Sequence, residues 1–233
     1  MFPSHDHVGE KKTRHIQGYV RFKNQKDLSA LKKLQPRAHF EGAKGSDDEN
    51  HKYCSKEGDF RSNYTPKLTR EDLLAMVAKS YESVIWKPWQ RSVLDLLDSC
   101  TNPRTIHWIY ESTGNVGKTF LAKFLCLRPG TIICQGKSAD VLNQVNVAID
   151  AGRRPQLILV DIPRVTLDYV SYNCLECLKN GLLYSGKYEG GVCIFPSPTV
   201  LCFANEMPQL HKMSIDRWDI HIIKDNQLFK KIL

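Results

Sequence analysis

One stretch constrains the second half of the chain more than any other: "TIHWIYESTGNVGKTFLAKFL", residues 105–125. An apolar strand pattern runs into a glycine turn, and a helix pattern opens at a lysine. In such a strand–loop–helix unit, Gly114 and Gly117 let the backbone N–H groups of Asn115, Val116 and their neighbours turn inward at a helix N-terminus, where they cradle phosphate oxygens. Lys118 then reaches the outer phosphates of a nucleoside triphosphate, and the Thr119 hydroxyl serves as a Mg²⁺ ligand. The stretch departs from G-x-x-x-x-G-K-[ST] at its first position, where Ser112 replaces glycine.

Two later strands supply what such a loop needs. "LILVD" delivers Asp161 to the C-terminal end of an apolar strand, suited to holding the Mg²⁺ through a water. "TVLCFAN" delivers Asn205, suited to orienting the γ-phosphate or the lytic water. Ile162 follows Asp161 where many ATPases carry a second acid, so the residues alone assign no general base. From residue 105 onward apolar strands alternate with helical stretches, the rhythm of an α/β domain with a largely parallel sheet.

The first 65 residues read differently. Residues 1–14 are polar and without pattern. "HIQGYVRF" then alternates as a strand, with His15, Gln17, Tyr19 and Arg21 on one face. "QKDLSALKKL" places Leu28, Leu31 and Leu34 at helical spacing before Pro36, and "AHFEGAK" is expected to be a short strand. Ser46 and Glu49 form a capping box opening a helix through Tyr53 and Lys56, closed by Gly58. "RSNYTPKLT" reads as a linker, after which helices starting at Thr69 and Pro88 join the two halves. The expected organisation is an α+β domain over residues 1–65, a helical linking or oligomerisation segment over 66–100, and a phosphate-loop α/β domain over 101–233.

The helix around "HKYCSKEGDF" carries Tyr53, Cys54, Ser55 and Lys56, four potential nucleophiles. Tyr53 and Lys56, three apart, share a face, whereas Cys54 points about 100° away. His15 and Gln17, two apart on a strand, project together; an imidazole nitrogen and an amide oxygen suit Mg²⁺ or Mn²⁺, with Asp6 or Glu10 as the completing carboxylate. A tyrosine beside such an ion and a lysine can attack a phosphodiester and keep the bond energy in a phosphotyrosine.

The net charge of +8 favours a polyanionic partner. The eight cysteines fall mostly inside apolar runs and read as reduced core thiols of an intracellular, soluble protein without a membrane span. Cys174 and Cys177 form a lone pair without a second pair at zinc spacing.

Taken in order, these segments resemble the replication initiator (Rep) proteins of small circular single-stranded DNA viruses, the circovirus, nanovirus and satellite-like group. "HIQGYVRF" is similar to their second rolling-circle motif and "YCSKEGDF" to the third. "GNVGKTFLAKF", "LILVDIPR", "NGLLYSGKYEGG", "TVLCFANEMP" and "SIDRWDI" resemble the Walker A, Walker B, B′, C and arginine-finger regions of a superfamily 3 helicase. The resemblance implies an HUH-type, RRM-like nicking domain followed by an AAA+-like ATPase. Tyr53 would be the nucleophile and Lys56 its companion, acting on a single-stranded origin stem-loop. Lys187 would lie on a DNA-contacting hairpin, and Arg217 would reach the ATP of a neighbouring subunit in a hexamer. A host polymerase would extend the freed 3′ end, in the host nucleus. The family's first strand and motif lie upstream of where this chain starts, so an N-terminal truncation and a bare edge on the His15 strand are expected. Two other readings compete: a Rep-derived ATPase or DNA-binding remnant that does not nick, and an RNA helicase of the same superfamily. The latter predicts no Tyr–Lys helix beside a His-x-Gln strand.

Overall fold

A computed structural model describes residues 4–8, 14–56, 58–99, 102–164, 170–184 and 191–232, with 4–8, 14 and 15 as backbone only. The chain divides into two compact units, Met1–Leu73 and Leu74–Leu233.

In the first unit, β1 (Ser4–Val8) and β2 (Arg14–Gln17) pair antiparallel, with His7 opposite His15 and an irregularity between Ser4 and His7. The polar leader thus contains a strand, which pairs with one edge of the His15 strand; among the described residues no strand pairs with its other edge. β2 is shorter than its alternation suggested: after Gln17 the chain leaves the ladder. Tyr19 and Arg21 keep their shared face by turning to Asp47, which accepts a hydrogen bond from Tyr19 Oη at 2.6 Å and pairs with the Arg21 guanidinium. α1 (Leu28–Leu34) starts at Asp27, whose carboxylate accepts from the Ala30 amide at 2.7 Å. "AHFEGAK" is irregular and joins no described ladder, so the expected strand is not formed there.

α2 (Asp47–Ser55) has the capping box read from the sequence: Ser46 Oγ accepts from the Glu49 amide, and the Glu49 carboxylate accepts from the Ser46 amide at 2.6 Å. The stretch read as a linker folds back on this helix. Asp48 accepts from Tyr64 Oη at 2.6 Å and from the Lys67 amide at 3.2 Å, while the His51 ring meets Phe60 edge-on and lies against Tyr64. α3 (Arg70–Lys79) begins at the predicted Thr69–Asp72 cap and spans the division between the units.

The second unit is a six-stranded sheet between two helical layers. Its strands are β3 (Ile106–Tyr110), β4 (Thr131–Cys134), β5 (Leu157–Asp161), β8 (Thr199–Ala204), β9 (Trp218–Lys224) and β10 (Gln227–Lys230). They run in the order β10-β9-β3-β8-β5-β4, all parallel except β10, which pairs antiparallel with β9. Parallel neighbours require crossovers, here made through α5 (Lys118–Leu125), α6 (Ser138–Asp150) and α7 (Tyr172–Asn180). Helices on both faces bury the strands on both sides, hence the near-continuous apolar runs in sequence. Ile106, Trp108 and Tyr110 of β3 face one core with α6 and α7 residues, while Ile109 faces the other with α5. α4 (Pro88–Ser99) is more than a link: its Trp89 and Val93 are fully buried in that second core. A small antiparallel hairpin, β6 (Leu182–Tyr184) with β7 (Val192–Ile194), follows α7. No described helix is long and apolar enough to cross a membrane. The seven described cysteines are free thiols.

Candidate functional sites: a tyrosine helix and a glycine loop

In the first unit the capping box sets where α2 begins, and so which side chains its last turn presents. Tyr53 is 52% exposed, and its hydroxyl accepts a hydrogen bond from Gln17 Nε2 at 3.3 Å. The Lys56 ammonium lies 4.5 Å from the centroid of the Tyr53 ring, a cation–π contact that keeps a positive charge beside the phenol. Cys54 is buried, and burial raises its thiol above the ordinary range, away from the reactive thiolate. Ser55 Oγ donates to the Lys52 carbonyl at 3.4 Å. Of the four adjacent candidates, tyrosine alone combines exposure with an amide donor aimed at its oxygen. Such a donor stabilises negative charge as it develops there.

The residues expected to hold a metal ion lie on the two paired strands. His15 and Gln17 are on β2, Asp6 is on β1, and Glu10 lies outside the described residues. Imidazole, amide oxygen and carboxylate are ligand types that Mg²⁺ or Mn²⁺ accepts; in the register it is His7, not Asp6, that stands opposite His15. The Gln17 amide that donates through Nε2 to Tyr53 has its acceptor oxygen at the other end of the same group.

In the second unit, β3, β8 and β5 are neighbours, so their C-terminal ends bring three loops side by side. Between β3 and α5 the backbone turns through positive φ at Gly114 (93°), Asn115 (59°) and Gly117 (103°). The two glycines adopt this region without steric cost. Gly117 is the N-cap of α5, so the helix begins at Lys118 as expected and leaves Thr119 exposed in its first turn. The Lys118 ammonium donates to Asn205 Oδ1 at 3.0 Å and to the Glu111 carbonyl at 3.1 Å. Asp161, at the end of β5, accepts from Gln135 Nε2 at 3.1 Å. Burial pushes the Asp161 carboxyl up from its ordinary range, against the pull of Gln135 and the Lys118 charge. Burial likewise lowers the Lys118 ammonium, with Glu111 opposing it. The loop, Asp161 and Asn205 predicted from sequence therefore converge on one end of the sheet.

Several partners were invisible to sequence reasoning. Val116 is held by the Lys87 ammonium on its carbonyl at 2.9 Å, and Gln90 bridges the Lys87 amide and the Gly117 carbonyl. Arg164, just past β5, donates to the Ser112 carbonyl at 2.5 Å. Glu111 is buried, and its carboxylate accepts from the amides of Thr113 and Gly114 at 2.5 and 2.6 Å. A cavity of ≈ 610 Å³ opens beside the loop, bordered by Lys87, Glu111, Thr113, Asn115, Asp225 and Asn226. It is of the size that takes a small ligand.

Arg217 is buried, with Nε paired to Glu176 Oε1 at 2.9 Å and Nη1 donating to Asn180 Oδ1 at 3.2 Å. Glu176 and Asn180 sit four apart on α7 and so present one face to it. Reaching a neighbouring subunit would require both bonds to be released. Lys187 lies outside the described residues.

Residues 4–57 match the family described as "Putative viral replication protein". Over 254 residues the chain is 30% identical to the master replication protein of Milk vetch dwarf virus, covering 90% of this chain and 86% of that one. It is 31% identical over 236 residues to Para-Rep C2 of Subterranean clover stunt C2 alphasatellite, covering 88% and 82% respectively. It is 28% identical over 253 residues to the master replication protein of Banana bunchy top virus, covering 90% and 86%. By identity spread over both units, this chain belongs to the family of single-stranded DNA virus replication (Rep) proteins that includes these master replication proteins and alphasatellite Para-Reps.

Proposed function

We propose that this chain is a rolling-circle replication initiator that nicks and rejoins single-stranded DNA through Tyr53 and unwinds DNA with ATP. The observation that carries the reading is the meeting of Gln17, from the His-x-Gln strand, with Tyr53, from the capped helix. Two motifs separated in sequence thus meet at an exposed phenol, which supports the reading.

In the nicking step the Tyr53 oxygen attacks the scissile phosphorus. The Tyr53 Oη–P bond forms, the P–O3′ bond breaks, and the phenolic proton is balanced by protonation of the departing 3′ oxygen. The product is a 5′-phosphotyrosine and a free 3′ hydroxyl, which a host polymerase in the nucleus extends. Joining is the reverse attack by a 3′ hydroxyl on the phosphotyrosine. Asp6, His15 and Gln17 would hold Mg²⁺ or Mn²⁺, which when bound polarises the scissile phosphate. Lys56 offers positive charge to the DNA backbone, and Gln17 orients the phenol.

The second unit reads as a superfamily 3-type ATPase, supported by Lys118, Asp161 and Asn205 at adjoining strand ends. The loop N–H groups and Lys118 bind the phosphates of ATP, and Thr119 and Asp161 hold its Mg²⁺. Asn205 orients the terminal phosphate or the attacking water. A homohexamer would place Lys187 on DNA, and Arg217, once released from α7, on a neighbour's nucleotide.

The deciding experiment incubates the protein with a labelled single-stranded origin stem-loop and Mn²⁺ and resolves the products on a denaturing gel. A covalent protein–DNA adduct is expected, and Tyr53→Phe abolishes it. Absence of any adduct while ATP hydrolysis persists would overturn nicking in favour of an ATPase that binds DNA without cutting it.

A further inference from the structure

The nucleotide-site reading leaves one charged residue of the loop without a role. Glu111 immediately follows β3, and its side chain folds over the turn rather than away from it. One carboxylate oxygen accepts from the Thr113 amide and the other from the Gly114 amide, at 2.5 and 2.6 Å. The Lys118 ammonium stands 3.9 Å from the second oxygen. The group is buried, yet it is an anion. Burial opposes its ionisation, and the Gly114 and Thr113 donors together with Lys118 outweigh that, holding the carboxyl below its usual range.

Two backbone N–H groups of a glycine loop and the lysine opening the following helix are the donors with which such a loop holds a phosphate. Here a carboxylate of the same chain takes the two amides and stands 3.9 Å from the ammonium, whose own hydrogen bonds go to Asn205 Oδ1 and the Glu111 carbonyl. A triphosphate bringing several negative charges to the same donors would meet a like charge within a few ångströms, in a partly desolvated site where repulsion is poorly screened.

We propose that Glu111 is an internal phosphate mimic, which occupies the anion seat of the 112–118 loop and must swing out before ATP can bind. The inference rests on the reading of this loop as an ATP site. Its consequence is a reduced apparent affinity, because only the fraction of molecules with Glu111 displaced is competent to bind. A loop that merely uses Glu111 as a structural brace predicts the opposite sign: removing the brace would loosen the loop and weaken binding.

The test is a titration of the full chain with a fluorescent ATP analogue and Mg²⁺, followed by anisotropy, for wild type, Glu111→Gln, Glu111→Ala and Lys118→Ala. Glu111→Gln and Glu111→Ala are expected to bind about tenfold or more tightly than wild type, with Lys118→Ala losing binding. Glu111→Gln preserves the shape of the side chain, so it carries the test even if the alanine variant fails to fold; circular dichroism and melting verify its structure. A folded Glu111→Gln that binds no more tightly than wild type overturns the proposal and leaves the ATP-site reading standing. Binding by none of the four proteins at any concentration overturns the ATP-site reading, and the proposal with it.

Discussion

Gln17 Nε2 lies 3.3 Å from the Tyr53 hydroxyl, joining a strand end to a helix 36 residues further along the chain. In the proposed nicking reaction Gln17 would have two separable tasks, donating to the phenol through nitrogen and offering oxygen to a cation. Glu in its place keeps oxygen ligands and loses the N–H. Gln17→Ala should lower adduct formation on a single-stranded origin by about 10–100-fold, as expected when a group orienting a reactive residue is removed. Gln17→Glu should separate the tasks: a rate near wild type would show that the donor is dispensable, and a rate near that of alanine that it is not.

Cys54 neighbours the proposed nucleophile and is the more reactive residue type in free solution. It is buried, and burial raises its thiol. Cys54→Ser is therefore expected to retain adduct formation, and iodoacetamide should leave Cys54 unmodified in the native protein, as read by peptide mass spectrometry. Loss of the adduct in a folded Cys54→Ser protein would move the nucleophile to the thiol.

Lys118 links the loop to β8 through Asn205 and faces Glu111. Lys118→Ala should reduce ATP hydrolysis by about 100-fold or more, the scale of losing one preorganised charge at developing phosphate charge. Adduct formation by Tyr53 should persist, because the tyrosine and its contacts belong to the other unit. The two activities are measured side by side, as phosphate release and as gel-resolved adduct.

Asp219 is the charge on which the far edge of the sheet depends. His107 Nδ1 and His221 Nε2 both lie 2.8 Å from one of its oxygens, and the Lys230 ammonium lies 2.9 Å from the other. Burial opposes its ionisation, but the hydrogen bonds from His107, His221 and Lys230 prevail and hold the carboxyl well below the usual range. A depressed carboxyl contributes stability that is fully present above its unfolded value, near ~3.9, and is lost as pH falls towards the folded value. Asp219→Asn should therefore cost about 1–3 kcal/mol at neutral pH, as leaving buried hydrogen-bonding groups without their charged acceptor does. The gap to wild type in urea denaturation should narrow below about pH 4.

Much of this architecture was legible because it is encoded locally. Ser46 and Glu49 are three residues apart and can satisfy only each other's backbone, so their box, and the helix it starts, could be read directly; so could Thr69 with Asp72. The strand–loop–helix of residues 105–125 was readable because positive φ at Gly114 and Gly117 and apolar periodicity leave few alternatives. β1 was not readable. It is five residues of mostly polar chain, and its pairing with β2 comes from backbone bonding rather than from an apolar face. "AHFEGAK" failed in the opposite sense, since a favourable pattern makes no strand without a partner.

By itself the sequence determined the order of the motifs, the caps, the α/β character of the second unit and the chemical identity of Tyr53, Lys118, Asp161 and Asn205, because these follow from spacing and residue type within short windows. Only the tertiary structure decided which groups meet. Gln17 on Tyr53, Glu111 on the loop amides, Arg217 on Glu176 and Asp219 between two histidines are contacts set by strand order and loop path. Hydrogen-bonding groups in a folded chain take whichever partner the packing brings within reach, and that distance is not written in any one segment.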